Sequence, residues 1–300
     1  MRVRAISLAL VLFACAPQVV DAVDDAPSAN AGASAGGTSG GAEIAGTGGD
    51  SAGASESTEA GAAGEGGTSS EATLRGDALI HRYSFEGTGT IAFDAKGAAH
   101  GTIIGTELTN QGYLSLDGKA TTAQYVDLPD QLISGLADAT FEAWITWQGG
   151  DVWQRVFDFG DDSSMLEDMR SVGRSYLFLS PFGGSDFMRS VYKNADIKEV
   201  IVNAEPAITV DVATHLAVVF DDTHDLMSLY VDGVLASATA TTGHLSQIHD
   251  INDWLGRSQF SSDAPYNGSI DEFRIYEIAL SAAEIQKSAA AGPDAVFPQP

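Results

Sequence analysis

The residues of this chain best equipped for chemistry are its carboxylates, 41 Asp and Glu against 15 Lys and Arg. Glycoside hydrolysis needs two of them aimed into one cleft, one as nucleophile or base and one as acid. The nearest arrangement is Ser269-Ile270-Asp271-Glu272-Phe273-Arg274-Ile275-Tyr276-Glu277, which reads as a strand. Successive side chains of a strand face opposite ways, so Asp271 and Glu272 are expected on opposite sides and make no pair by themselves. Glu142 and Asp158 supply only distant carboxylates. Serine-hydrolase and phosphate-loop motifs are absent, no catalytic residue is assigned, and the chain reads as a protein that is not an enzyme.

The other titratable groups say little more. Of six histidines, His81 and His215 fall inside strand-like runs and read as satisfied core groups. His244 and His249 border an acidic stretch through Asp253 and are weak zinc candidates, since no helical spacing brings them together. Four aromatics, Trp153, Tyr192, Trp254 and Tyr266, sit at expected strand ends or in loops, where a ring face can meet a sugar while polar loop groups take its hydroxyls. The formal charge of −26 and pI near 4.2 argue against nucleic acid and against an anionic membrane surface, which would repel the chain. Hard cations such as calcium suit an Asp- and Glu-rich surface.

Cys15 is the only cysteine, which excludes an internal disulfide and any multi-cysteine metal or redox motif. It follows Arg2, Arg4 and an uncharged apolar stretch from Ala5 to Ala14, too short to span a bilayer and suited to a secretion signal. Leu12-Phe13-Ala14-Cys15 resembles the bacterial lipobox, with a bulkier Phe13 than that pattern usually carries. The resemblance implies lipidation of Cys15 and, with Ala16 following, outer-membrane or cell-surface sorting. The alternative is ordinary cleavage near Ala22 and secretion. From about Asp21 to Thr73 the chain is Gly, Ala, Ser and Thr with scattered acids, and residues 15–73 bury too little to offset the entropy of ordering. They read as a disordered linker with a reach on the order of 40 Å.

From residue 74 the pattern changes to short β-branched and aromatic runs. Strands are expected at Ile80–Phe85, Tyr113–Leu116, Gln124–Leu128, Thr140–Trp147, Val152–Phe159, Tyr176–Leu179, Phe187–Tyr192, Ile197–Val202, His215–Phe220, Leu226–Val231 and Ser269–Tyr276. Asp232-Gly233 between two apolar runs signals a hairpin. Ser281 with Glu284 three residues on is a capping box, opening a helix from Ala282 to about Ala290. The whole is an all-β, two-sheet antiparallel sandwich with a short C-terminal helix: residues 1–14 signal, 15–73 linker, 74–290 folded domain and 291–300 tail.

Several blocks together resemble laminin-G-like domains of the concanavalin A-like jelly-roll superfamily. They are His81-Arg82-Tyr83-Ser84-Phe85-Glu86-Gly87, Phe93-Asp94-Ala95-Lys96-Gly97, Thr140-Phe141-Glu142-Ala143-Trp144-Ile145, His215 to Phe220 with Leu229 to Gly233, and Gly268 to Tyr276 with Ala279 to Ile285. The stretch from Gly149 to Ala207 departs from the pattern. The resemblance implies a jelly roll with structural calcium held by Glu86, Asp94 and Asp271, helped by carbonyls near Gly89 and His100. It also implies a non-catalytic module recognising a carbohydrate or an extracellular protein. A structural adhesion or envelope-assembly component is the alternative, and a glycoside hydrolase a distant third.

Overall fold

Alternating apolar and polar side chains decide which way each strand faces, and adjacent extended runs pair because an isolated strand leaves its backbone groups unbonded. In the computed structural model, which describes residues 73–297, these rules give two antiparallel sheets face to face. The first runs in the order β1 (Leu79–Tyr83), β17 (Asn267–Tyr276), β8 (Ala139–Trp147), β13 (Ala213–Asp221), β14 (Leu226–Val231), β15 (Val234–Ala240). A further strand, β6 (Leu114–Asp117), pairs with the first half of β17. The second runs β12 (Val200–Ala204), β11 (Met188–Lys193), β10 (Gly173–Ser180), β9 (Phe157–Asp162), β16 (Asn252–Leu255), β7 (Tyr125–Leu128), β4 (Gly101–Ile104), β3 (Ile91–Ala92). A two-stranded ribbon pairs β2 (Thr88–Gly89) with β5 (Leu108–Thr109).

The core lies between the sheets. Phe141, Ala143, Ile145 and Trp147 of β8 face Phe157 and Phe159 of β9 and Leu177 and Leu179 of β10, all nearly or fully buried. Phe157 stands 5.4 Å from Phe141 and 5.7 Å from Phe273, so three rings from two sheets lock the layers together. Such aromatic pairs add about 0.5–1.5 kcal/mol each beyond burial.

The outer face of the first sheet is covered by α1 (Ala282–Ala291) and the chain beyond it. Ser281 caps this helix with both halves of the expected capping box in place. Leu79, Ala217, Val219, Tyr230 and Tyr276 make an apolar bed for Leu280 and Ile285. Beside that bed lies a buried ionic cluster. Arg274 donates to Glu272 at 2.5 Å and to the Pro293 carbonyl at 2.6 Å, with its guanidinium 4.2 Å from the Trp144 ring centre. Arg82 reaches the same Glu272 oxygen from β1 at 2.5 Å. Glu142 accepts from Tyr276 at 2.9 Å and from Ser288 of α1 at 2.8 Å. Each carboxylate is therefore met by donors from several elements, the condition under which a buried ion is tolerated. The Asp232-Gly233 turn takes φ of 48° and 79°, and a side chain on Gly233 would stand 3.0 Å from Ala289, so glycine serves both the turn and the helix contact.

The strand pattern agrees with the sequence in most places; the short strands β2 to β5 were not expected, and three further departures have a structural reason. Val152–Val156 was expected as the start of a strand, but β9 begins at Phe157. The earlier residues turn instead, with Trp153 at φ 66° and the side chains of Gln154 and Arg155 bonded to nearby carbonyls. In place of a loop, Asn252–Leu255 forms β16, paired with both β7 and β9. Its polar composition hid this, because both of its faces are buried and Asp253 within it accepts the Leu132 amide on one oxygen. The third departure is a bulge in β17, where the register slips between Ile270 and Glu272 and Asp271 is the extra residue. Among the described residues no helix is long and apolar enough to cross a membrane. The signal segment, Cys15 and nearly all of the linker lie outside the described residues.

Removing one partner of the ionic cluster strands the others without counter-charge. Arg274→Ala is expected to cost about 3–5 kcal/mol, read as the shift in urea midpoint of the full chain, while Arg274→Met costs distinctly less because it keeps the volume over Trp144. Almost no loss in Arg274→Met, which removes the charge and keeps the volume, would show that the ionic cluster is not what holds the helix.

Candidate functional site

On the outer face of the second sheet, β10 and β11 present Tyr176, Phe178 and Val191, which with Ile201 and Phe260 form an apolar cluster apart from the core. Arg170 pins a loop across this face, donating to the carbonyls of Ser258, Phe260 and Asp263 at 2.8, 2.6 and 2.9 Å. A parallel bridge from Ser171 to Phe260 ties two loops together. Between this loop and the Trp153 turn a cavity of about 290 Å³ stays open.

Its walls carry both kinds of group that recognition of a polar ring requires. Phe178, Phe260 and the half-buried Trp153 supply apolar surface. Arg155 lies with its guanidinium 3.7 Å from the Phe178 ring centre, held by Asp158 at 3.2 Å, Asp263 at 2.8 Å and the Trp153 carbonyl at 2.6 Å. Arg189 donates through Nε to Asn203 at 2.7 Å and sits 5.1 Å from Trp153 and 4.8 Å from Phe187. Its Nη groups have no hydrogen-bond partner among the described residues. Glu199 takes the Tyr176 hydroxyl at 2.5 Å on one oxygen and leaves the other to face the cavity. Donors, acceptors and aromatic faces thus converge on one opening whose side chains are already fixed. The backbone at Trp153 is in the left-handed region, which costs a non-glycine residue on the order of 1 kcal/mol. The surrounding bonds maintain that conformation, and strain of this kind gathers at binding sites.

Burial governs the ionisation nearby. Asp158, fully buried beside Arg155, is pushed up to about 6 by desolvation. Desolvation likewise raises Asp127 to about 6, and Asp271 to about 6 with help from Asp294, Glu272 and Glu86.

Of the four aromatics expected to contact ligand, only Trp153 lines this cavity. Tyr192, Trp254 and Tyr266 are corrections to the sequence reading, because all three are fully buried and offer no ring face. The Tyr192 hydroxyl donates to the His244 carbonyl at 2.8 Å, and Trp254 donates to Asp127 at 3.0 Å beneath Arg257. Sequence reasoning missed Arg155, Arg189, Glu199 and Asp263. Period-two alternation along Met188–Lys193 placed Arg189 and Val191 on one face, but nothing in sequence said that the face was half-covered by loops.

Of the expected calcium donors, Asp94 has no room for an ion. Asp94 is buried and accepts five hydrogen bonds, from the amides of Arg82, Lys96, Gly97 and Ala99 and from His81 at 2.7 Å. A carboxylate has about four lone-pair positions, so none remains for a cation, and the same bonds hold its pKa below the usual range against burial. Among the described residues no three His, Cys, Asp or Glu are arranged to hold a metal. His244 and His249 bond to different carboxylates, Asp222 and Asp161. Two further expectations fail on the first sheet. The bulge turns Asp271 to the same outer face as Glu272, and Asp271 bonds neither Arg274 nor a backbone amide. His215 is buried, yet its Nδ1 has no partner.

The fold and an aromatic cavity on a sheet face define a jelly-roll module, and comparison places it. The chain belongs to the concanavalin A-like lectin/glucanases superfamily, whose family model matches residues 119–286. Among solved structures it is similar to domain 4 of an extracellular arabinanase from Geobacillus stearothermophilus, solved in complex with arabinotriose. Identity there is 21%, coverage 70% of this chain and 97% of that one, and TM-score 0.53. It is also similar to botulinum neurotoxin type C, whose route into cells depends on interaction with two ganglioside molecules. In that case identity is 13%, coverage 72% and 51%, and TM-score 0.55. No curated protein matches the chain. At these identities the likeness is one of fold.

The raised acids carry a consequence for stability. Asp127, Asp158 and Asp271 bind protons more tightly folded than unfolded, so stability falls as pH climbs from the ordinary carboxylate range through about 6. Asp94 works in the opposite sense and its contribution is lost at lower pH. The melting temperature of the full chain is therefore expected to be higher at pH 5 than at pH 7.5. The difference should persist in high salt, which screens the general repulsion of a −26 chain. A higher melting temperature at pH 7.5 would contradict this assignment.

Proposed function

We propose that this protein is a non-catalytic carbohydrate-binding module that takes a saccharide into the cavity beside Trp153. The observation that carries the reading is a strained Trp153 set between two arginines in an opening that also offers carboxylate acceptors. Sugar rings need an apolar face for their C–H surface and fixed donors and acceptors for their hydroxyls, and this wall supplies both. The bound glycans of the similar structures support the reading. Carboxylates beside the cavity are engaged by Arg155, with Asp158 and Asp263 held in ion pairs, so the site is built to bind and not to cleave. The acidic surface favours neutral glycans over polyanionic ones.

The N-terminal region fits presentation of the module away from a membrane. We infer that Cys15 carries the lipid anchor and that residues 15–73 tether the domain at the outer membrane or cell surface. Metabolic labelling with palmitate tests this: wild type takes up label and Cys15→Ser does not, whereas an unlabelled wild-type chain would favour secretion.

Ligand binding is checked on a polysaccharide panel that includes arabinan, by affinity electrophoresis of the full chain. Trp153→Ala and Arg189→Ala are each expected to weaken retention by roughly tenfold, about 1.4 kcal/mol, with melting temperature nearly unchanged. If both variants bind as wild type does, the cavity is not the glycan site. If wild type binds no saccharide but co-purifies with an envelope protein, the module acts in adhesion instead.

A further inference from the structure

A second cavity, of about 390 Å³, opens on the other sheet, beside the C-terminal end of α1, and the reading above makes no use of it. Trp144, Tyr113, His215, Ser269, Asp271 and Asp232 are among its walls. Three features mark it as built, the second of them following from the first. The bulge in β17 adds Asp271 as an extra residue and re-aims it outward, a device found next to functional sites and at sheet edges. Although half-buried, Asp271 has no hydrogen-bond partner among the described residues, while its neighbours Glu86, Glu272 and Asp294 are all acidic. His215 is 4% exposed and its Nδ1 has no partner.

The chemistry of these groups is one-sided. Nε2 of His215 stands 3.1 Å from Glu142, an acceptor when ionised, so the ring proton belongs on Nε2 and Nδ1 is an acceptor closed off from solvent, adding to the field but not to direct contacts. Asp271 contributes two further acceptor oxygens. Asp232 spends one oxygen on the His215 amide at 2.9 Å and keeps the other. No Lys or Arg lines the cavity. The nearest guanidinium, that of Arg274, is bound to Glu272 and packed on Trp144. An anionic ligand would meet like charge, and a ligand rich in acceptors would leave Asp271 unpaired. What complements the site is a cation rich in donors, and a primary ammonium has three donors and no acceptor. The exposed Tyr113 ring on the wall favours a cation further, while Trp144 is already taken by Arg274 and His215. The hydroxyls of Ser269, Thr146 and Thr214 on the same wall suit a hydroxylated frame around it.

We propose that this cavity is a second ligand site, which binds a small hydroxylated molecule through a protonated primary amine, as a 2-amino sugar would present it. The site is independent of the Trp153 cavity, because it lies on the opposite sheet and shares no lining residue with it.

The test is calorimetric titration of the full chain at pH 7.5 with glucosamine, N-acetylglucosamine and putrescine. Glucosamine binds, and acetylation, which removes the charge and two donors, weakens binding by roughly tenfold or more. Putrescine, an amine without hydroxyls, binds more weakly than glucosamine. Asp271→Asn lowers glucosamine affinity to a similar degree while keeping or raising the melting temperature, since it removes one charge from a like-charged group. Trp153→Ala leaves glucosamine binding intact, so failure of the glycan reading and failure of this one are told apart. Absence of glucosamine binding, equal affinity for the acetylated sugar, or an unaffected Asp271→Asn overturns the proposal. Putrescine binding as tightly as glucosamine overturns the part assigned to the hydroxyls.

Discussion

Two arginines and two glutamates buried on the outer face of the first sheet set the conditions for much of what surrounds them. Arg274 cannot lie in the interior without counter-charge, and Glu272 supplies it at 2.5 Å. Glu272 must therefore face outward, toward Arg82 on β1 and away from Phe273 and Ile275 in the core. Ile270 also faces the core, and a strand with strict alternation would carry Glu272 inward with it. The extra residue at Asp271 resolves the conflict by turning two consecutive acids to one side. The bulge is thus the geometric consequence of satisfying a buried charge, and the unpaired Asp271 follows from the bulge.

The same cluster decides what the C-terminal segment does. Arg82 and Arg274 both donate to the Pro293 carbonyl, and both guanidinium groups lie over the ring of Phe297 at 5.6 and 4.8 Å. Ser288 on the helix bonds both Glu142 and Arg274. The capping box starts the helix, the apolar bed holds one side of it, Gly292 at φ 79° ends it, and these ionic bonds tie down the chain that follows. Beside the helix that covers the first sheet in this way, the Asp271 cavity stays open. The second sheet is covered from the other direction, by loops that Arg170 pins, and its free surface is the Trp153 cavity.

Strand pattern, hairpin and capping box were legible in the sequence because each depends on local rules: period two, the left-handed preference of Asp-Gly, and the spacing from Ser281 to Glu284. The site was legible only at Trp153. Whether an aromatic is buried depends on which loops cross the sheet, and Tyr192, Trp254 and Tyr266 look in sequence like Trp153 does. Trp254 sat in a polar run that reads as a loop, and it became a central strand since Asp253 there accepts the Leu132 amide at 3.1 Å and the loops cover the rest. Asp94 likewise reads as a ligand until its five donors are counted, all of them supplied by residues within thirteen positions of it.

Period-two reasoning also failed where it was most trusted, at adjacent Asp271 and Glu272. A bulge has no sequence signature of its own, but a buried counter-charge does have a consequence that can be sought. When a strand carries Arg two residues after Glu on one face, and apolar residues at the other face both before and after, the alternation closes only with one residue to spare. In Ile270-Asp271-Glu272-Phe273-Arg274-Ile275 the core positions are separated by three and then by two. That change of spacing is the trace of the bulge, and it identifies Asp271 as the residue with no ladder partner and so the one free to serve a ligand.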